Sequence, residues 1–451
     1  YEQNAITGYF DFTPIQSMFF TWNLSNRNHF NQSVVLNFKN GLNVTKLKKV
    51  IKTLIEYHDI LRSVTDDKRM FIRAVEDRAS LEDFYSLRTI DLAEDNWHII
   101  DSVSTEVQSG LNIKQGPMLG IALFNIANEK TYCMLCIHHL LVDGISWRVL
   151  IDDFIHSYYG KALAPKTASY KDWSAYLIRY WKKHDMQEEI KYWSHIALLA
   201  EKDDWSQYRD GNGIGNITIS ESIEKDYTDN LGKASSMYNT DVKTILLTAL
   251  GIGVHKWINK DKVVISLEGH GREILDENID VSRTIGWFTS IYPFSIEYQS
   301  DIRAAIIATK ENLKHIPKNG IGYGILHQHN QIDMKEEPEI CFNYLGEWAQ
   351  YDNEDFCVIK RTLGENISSD NRLINPISIN AQIIENQLEV SIILDTSKYS
   401  TENVRKLLLY IIQAIKEVEA CCLNQEQVIK TASDYDKDLS AEALEEIYNL
   451  F

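Results

Sequence analysis

The chain has 451 residues, room for two to three domains at about 150 residues each. Hydrophobic residues make up 44% and charged residues 24%, the usage of an ordinary globular protein in water, which excludes disorder, collagen-like repeats and a disulfide scaffold. A formal charge of −18 repels nucleic acid and anionic membrane, and Lys46, Lys48, Lys49 and Lys52 read as the solvated face of a helix.

In chain order, Ser33–Phe38 reads as a strand, and Leu47, Val50, Ile51, Leu54 and Ile55 recur at helical spacing before the run His58-Asp59-Ile60-Leu61-Arg62. Lys130–Ile137 predicts a second apolar strand, and Trp147–Tyr159 a helix. A stretch rich in Trp and Tyr between Gly160 and Trp193 carries the expected connection between two lobes, near residue 175. Glu201–Gly215 has turn chemistry and no period. The second half repeats the mixture. It carries an alternating strand at Ile217–Ile223, a buried helix at 241–258, strands at 262–267, 339–343 and 388–394, and helices at Ile302–Leu313 and 402–419. His327-Gln328-His329 reads as a surface turn, and the acidic tail after Ala432, with an amphipathic segment at Ser440–Tyr448, as a linker or docking helix.

The longest apolar stretch, Ile245–Ile258, is interrupted by Gly251, Gly253, His255 and Lys256 and falls short of the about 20 residues a bilayer needs. The chain starts at Tyr1 with no basic-then-apolar leader, so it reads as excised from a longer polypeptide and cytoplasmic. Cys133 and Cys136 lie inside a strand, where cysteine acts as a small hydrophobe.

Three stretches carry candidate chemistry. In the first, an apolar strand runs into His138 and His139, then a loop with Asp143 and Gly144, then a helix that opens with Ser146 and Trp147. Imidazole titrates nearest neutrality and suits proton transfer from a strand end. The residues alone leave three readings open: a structural pair, a catalytic histidine, or a His-His-Asp metal site, which adjacent strand histidines reach only by bending the backbone. In the second, the strand Val263–Leu267 ends on Glu268, followed by Gly269-His270-Gly271-Arg272. The absence of a following Lys-Ser/Thr excludes a phosphate loop. In the third, Glu339–Phe342 ends on Asn343 and Tyr344, an amide and a phenol able to orient or polarise a carbonyl, or to sit structurally at an interface.

Six ordered motifs together resemble the epimerization domains of nonribosomal peptide synthetases, in the condensation-domain superfamily. Thr13–Phe20 is similar to the opening PIQxWF motif with Met18 in place of Trp, and His58-Asp59 with Leu61-Arg62 is similar to HxxLR. His138–Trp147 fits HHxxxDGxSW, and Glu268–Arg272 fits EGHGR. Arg283–Thr289 with Pro293 fits GWFTxxxP, and Phe342–Gly346 reads FNYLG. Condensation domains proper share HHxxxDG but usually lack the Ser146-Trp147 pairing and a glutamate placed like Glu268, and carry Asn-Thr where this chain has Thr289-Ser290.

The resemblance implies an α/β (α+β) fold of two chloramphenicol-acetyltransferase-like lobes in a V with the active site between them. The lobes are expected at 1–175 and 176–432, with a connector at 433–451. It implies inversion at Cα, L to D, of an aminoacyl or peptidyl thioester held on the phosphopantetheine arm of a peptidyl carrier protein. His139 and Glu268 are the expected acid/base pair, with Tyr344 as a third proton carrier. Asn343, Ser146, Trp147 and Thr289 are expected to bind substrate. His138 and Asp143 are expected to be structural, Asp143 pairing with Arg272 or Arg283. No cofactor or metal of its own is expected. The partners implied are an upstream carrier protein and a downstream condensation domain or synthetase subunit, with no nucleic acid or membrane. A condensation domain that forms a peptide bond is the alternative function, and a catalytically idle docking module a third.

Overall fold

The computed structural model describes all residues except 77–79, 128, 277, 348–350 and 436–451. The expected amphipathic segment at Ser440–Tyr448 and most of the expected connector lie outside the described residues. In chain order the first half carries β1 (Gly8–Asp11), α1 (Pro14–Thr21), β2 (Asn31–Phe38), α2 (Val44–Tyr57), β3 (Ser63–Thr65), β4 (Arg69–Ile72), β5 (Ser86–Leu92), α3 (Trp97–Ser109), β6 (Leu119–Ile126), β7 (Lys130–His138), α4 (Gly144–Tyr158) and α5 (Tyr170–Lys183). There follow α6 (Gln187–Glu201), β8 (Asn216–Ser222), α7 (Lys225–Ser236), α8 (Val242–Ile258), β9 (Lys262–Gly269), β10 (Ser290–Glu297), α9 (Ile302–Lys314) and α10 (Ile321–Gln328). The chain continues through β11 (Ile340–Glu347), β12 (Phe356–Ile359), β13 (Ile377–Ile384), β14 (Gln387–Asp395) and α11 (Thr401–Leu423). The mixed α/β class is as expected.

Two compact units interleave along the chain. Of the described residues, the first holds those in Tyr1–Met186, His270–Ser290 and Ala349–Arg372, and the second those in Gln187–Gly269, Ile291–Trp348 and Leu373–Phe451. The first break falls after Met186 rather than near residue 175, which lies inside α5. Tyr170, Trp173, Ser174, Tyr176, Leu177 and Tyr180 form one continuous buried face of that helix, so the aromatic stretch is core and not a linker.

In the first unit a five-stranded sheet runs in the order β12-β2-β7-β6-β5. β7 pairs antiparallel with β2 and β6, and β5 pairs parallel with β6. Helices cover both faces, which explains why β7 is apolar on both sides. Met134 and Cys136 pack with Ile100, Val103 and Val107 of α3, while Leu135 and Ile137 meet Ile51 and Leu54 of α2 and Leu150 and Phe154 of α4. Burial pushes the Cys133 and Cys136 thiols up to about 12, so both stay protonated and inert. α1 starts on a capping box between Thr13 and Gln16 with Pro14 in its first turn.

The run from His58 to Arg62 is structural. The His58 ring bonds Asp153 at 2.9 Å, and the fully buried Arg62 donates to the carbonyls of Ile55, Arg73 and Ile6 and to Asp59. These bonds satisfy a guanidinium that would otherwise be costly to bury.

In the second unit a six-stranded sheet runs in the order β10-β9-β11-β13-β14-β8. β11 pairs parallel with β9 and β13, and β14 pairs antiparallel with β13 and β8. α8 is buried almost all round, the pattern of a core helix. It approaches α11 closely at Gly253, where a Cβ would stand 2.8 Å from the Ile411 side chain. His327 and His329, expected in a surface turn, are half-buried at the end of α10 and just after it, because Ile321–Leu326 continues as a buried helical turn. At the described end of the chain the buried Lys310 ammonium bonds Asp434 and the Tyr238 carbonyl, so the connector's first residues are packed. Among the described residues no helix is long and apolar enough to cross a membrane.

Candidate functional site

In the first unit the candidate chemistry gathers where β7 ends. His138 is its last residue, and His139 opens a 3-10 turn that runs to Leu141, so the two rings part by a change of backbone as well as by strand alternation. His138 is fully buried: one ring nitrogen accepts the Leu140 N–H at 3.2 Å and the other donates to the Arg27 carbonyl at 2.7 Å. Burial lowers its pKa to about 3. With both nitrogens engaged, His138 has no lone pair to offer a metal, and the His-His-Asp reading loses a ligand.

His139 is half-buried. Its Nδ1 lies 2.8 Å from the Val142 carbonyl and its Nε2 lies 3.0 Å from the Gln32 amide nitrogen. The ring sits 4.2 Å from that of Trp287 and is stacked on Phe30 at 5.8 Å. Burial holds its pKa below the usual histidine range, so at neutral pH it is a free base.

Asp143 caps α4 by accepting the Ser146 N–H, and the loop around it is built from the first unit's later segment. Asp143 accepts the Phe288 N–H at 3.0 Å and a bond from Arg272 at 3.3 Å. Arg272 also donates to the carbonyls of Val281 and Thr284 and lies over the Phe288 ring. Gly271 makes this turn at φ +66°, with the Phe288 carbonyl where a Cβ would stand. The expected choice between Arg272 and Arg283 is therefore resolved: Arg283 bonds Asp152 and Asp153 on α4, away from Asp143.

Ser146 and Trp147, two of the expected substrate contacts, are bonded into their surroundings. Ser146 has no exposed surface, and its hydroxyl accepts from the Gly286 N–H and from Arg272 while lying 2.7 Å from Asp143 and 2.8 Å from the Gly286 carbonyl. Trp147 is 3% exposed and spends its indole N–H on Gln32. Thr289 follows Phe288, half-buried. Gln32, the second residue of β2, carried no motif signal.

In the second unit Glu268 stands at the end of β9. The neighbouring β11 is in parallel register with it, Cys341 opposite Ser266 and Phe342 opposite Leu267. The pairing ends there; the next residues are Asn343 and Tyr344 on β11 and Glu268 and Gly269 on β9. The Cys341 thiol lies 3.9 Å from the Glu268 carboxyl, and Lys243 of α8 bonds the Glu268 carbonyl at 2.9 Å. Burial raises the Glu268 carboxyl to about 7, against smaller lowering effects of Lys243 and Cys341. Burial also raises the Tyr344 phenol, which stays protonated and able to donate.

Such a carboxyl makes stability depend on pH. The unfolded chain releases this proton near 4.5, whereas the folded chain keeps it to about 7, so the folded state binds more protons between these values and loses stability as pH rises through the window. The loss is at most about 3 kcal/mol and levels off above the folded value. Glu268→Gln is expected to remove this slope, checked by urea unfolding of both proteins across the window.

A family model for "Condensation domain" matches residues 7–439. Bacitracin synthase 3 of Bacillus licheniformis is 34% identical over 96% of this chain, which corresponds to 7% of that protein. Gramicidin S synthase 1 of Brevibacillus brevis is 33% identical over 100% of this chain and 43% of its own length. The chain thus spans less than half the length of these relatives. Among solved structures, the epimerization domain from the third module of tyrocidine synthetase B superimposes with a TM-score of 0.86 at 30% identity, over 94% of this chain and 100% of that one.

Proposed function

The chain belongs to the condensation-domain family, and we propose that within it the domain is an epimerase acting on the Cα of an aminoacyl or peptidyl thioester carried by a peptidyl carrier protein. The observation that carries this reading is Glu268, a half-buried strand-end carboxyl raised to about 7 by loss of solvation. An acid poised near neutrality both gives and takes a proton there. The likeness to an epimerization domain over 94% of the chain supports it.

A thioester acidifies its own α-proton, so the chemistry needed is proton transfer on two faces. In one direction the neutral His139 takes the Cα proton through Nε2, the electron pair moves onto the thioester oxygen, and protonated Glu268 returns a proton to the opposite face. This leaves an imidazolium and a carboxylate. The reverse direction starts from that state. Asn343 and the protonated Tyr344 supply hydrogen bonds to the enolate oxygen. The substrate arrives on the phosphopantetheine arm of its carrier, an upstream domain or chain. A downstream condensation domain or synthetase subunit receives the inverted product.

The test supplies carrier protein loaded with L-aminoacyl groups of apolar, aromatic and acidic side chains in D2O. Deuterium at Cα together with D-isomer is the expected result. The family also forms peptide bonds, so a second loaded carrier is added in a parallel reaction. Dipeptide formation with no change of the D/L ratio would make this a condensation domain, and carrier binding with neither reaction a docking module.

A further inference from the structure

A chain of three side chains ends on His139, and each end of it has a single hydrogen-bonding polarity. The buried Trp147 indole N–H donates only, and it lies 3.1 Å from Gln32 Oε1. That fixes the amide with its oxygen toward Trp147 and its NH2 toward His139 Nε2, 3.0 Å away. At the other side of the ring the Val142 carbonyl accepts only, 2.8 Å from Nδ1. Both ends demand the same tautomer, Nδ1–H with a lone pair on Nε2.

We propose that Gln32 is a positioning residue that holds His139 as the neutral, Nδ1-protonated base and opposes formation of the imidazolium. Its catalytic meaning rests on the epimerase reading; its effect on the ring does not. A proton on Nε2 would face the Gln32 N–H, donor against donor, so the amide must swing away when the base is protonated. Phe30 and Trp287, which clamp the ring, do not titrate. Asp143 favours the imidazolium, but its carboxylate is engaged by Arg272, and His138 is neutral. Gln32 is thus the group in contact with Nε2 that decides which protonation state rests there. The consequence is a base that stays free over the range in which Glu268 is part-protonated.

The test uses the whole chain with Gln32→Glu, Gln32→Leu and Trp147→Phe, and follows the His139 ring nitrogens by 15N NMR, assigned by their loss in His139→Gln. In the unsubstituted protein Nδ1 is expected to be the protonated nitrogen and Nε2 the bare one. Gln32→Glu gives Nε2–H an acceptor and is expected to raise the histidine pKa by about one unit or more, a tenfold change in proton affinity. Gln32→Leu and Trp147→Phe, which remove or free the donor facing Nε2 while the Val142 carbonyl still favours Nδ1–H, are expected to raise the histidine pKa by less than Gln32→Glu does. The acid limb of α-proton exchange moves up with the pKa in Gln32→Glu while carrier binding holds. Identical tautomer and titration in all four proteins would overturn the proposal. If the nitrogens respond as expected and no protein exchanges the α-proton, the epimerase reading falls and the role of Gln32 in holding the ring stands.

Discussion

On the epimerase reading, Glu268→Gln is expected to lower the rate of inversion at Cα by about 10²–10⁴-fold, and His139→Ala to do the same, the range expected when a positioned acid or base is lost. Glutamine keeps the volume and neutral polarity of the protonated carboxyl, the form Glu268 holds below about 7, so the fold tolerates it while the exchangeable proton is gone. Because inversion needs a proton to leave one face and another to reach the opposite face, each variant is expected to keep isotope washout from at most one enantiomer, without inversion. The unsubstituted domain is expected to show a bell-shaped pH dependence. The reactive state, neutral His139 with protonated Glu268, is lost below the lowered histidine value and above about 7. Chiral analysis and deuterium content of the carrier-bound product read both effects. A variant that inverts its substrate at the unsubstituted rate removes that residue from the mechanism.

What was legible in the sequence was local. The strand running into His138, the Asp143 cap and the Ser146 N3 position lie within nine residues of one another, and strand–turn–helix chemistry follows from that spacing. Glu268 showed itself in the same way, at the end of an apolar run. Periodicity does not report long-range pairing. β12 joins the first unit's sheet at β2, more than 300 residues earlier, Phe356 opposite Phe38, and His270–Ser290 returns to the first unit to build the loop around Asp143. The same limit hid the parts played by Ser146 and Trp147. Motif position marks both as near the chemistry, but their side chains bond Gly286 and Gln32, residues distant in the chain. Gln32 itself is a polar residue in a strand, with no local pattern to mark it. α5 shows the opposite error: its Trp and Tyr residues suggested a connection by composition, whereas their helical spacing makes them a core face.

Arg272→Ala is expected to destabilise the first unit by about 3–5 kcal/mol, the cost of leaving a buried charge without its partner. The Arg272 and Asp143 side chains are 8% and 6% exposed, so solvent cannot take over the missing bonds. Removing Arg272 strands the carboxylate and also the Val281 and Thr284 carbonyls that its guanidinium bonds. Asp143→Ala is expected to cost a similar amount, because it frees the Phe288 N–H and uncaps α4. The double variant should lose less than the two single losses added, since both remove one interaction. Arg283→Ala is the control. Its side chain is 27% exposed, and the buried Asp153 that it pairs with keeps the His58 ring as a partner at 2.9 Å, so a smaller loss than for Arg272→Ala is expected. Denaturant unfolding of the four variants separates these outcomes, and equal losses for Arg272→Ala and Arg283→Ala would refute the assignment of Arg272 as the arginine that sustains the loop. The same variants act on the chemistry at a distance. Phe288 is held by Asp143, and Trp287, its neighbour, lies against the His139 ring, so loosening the pair lets the base lose its clamp even where the fold survives.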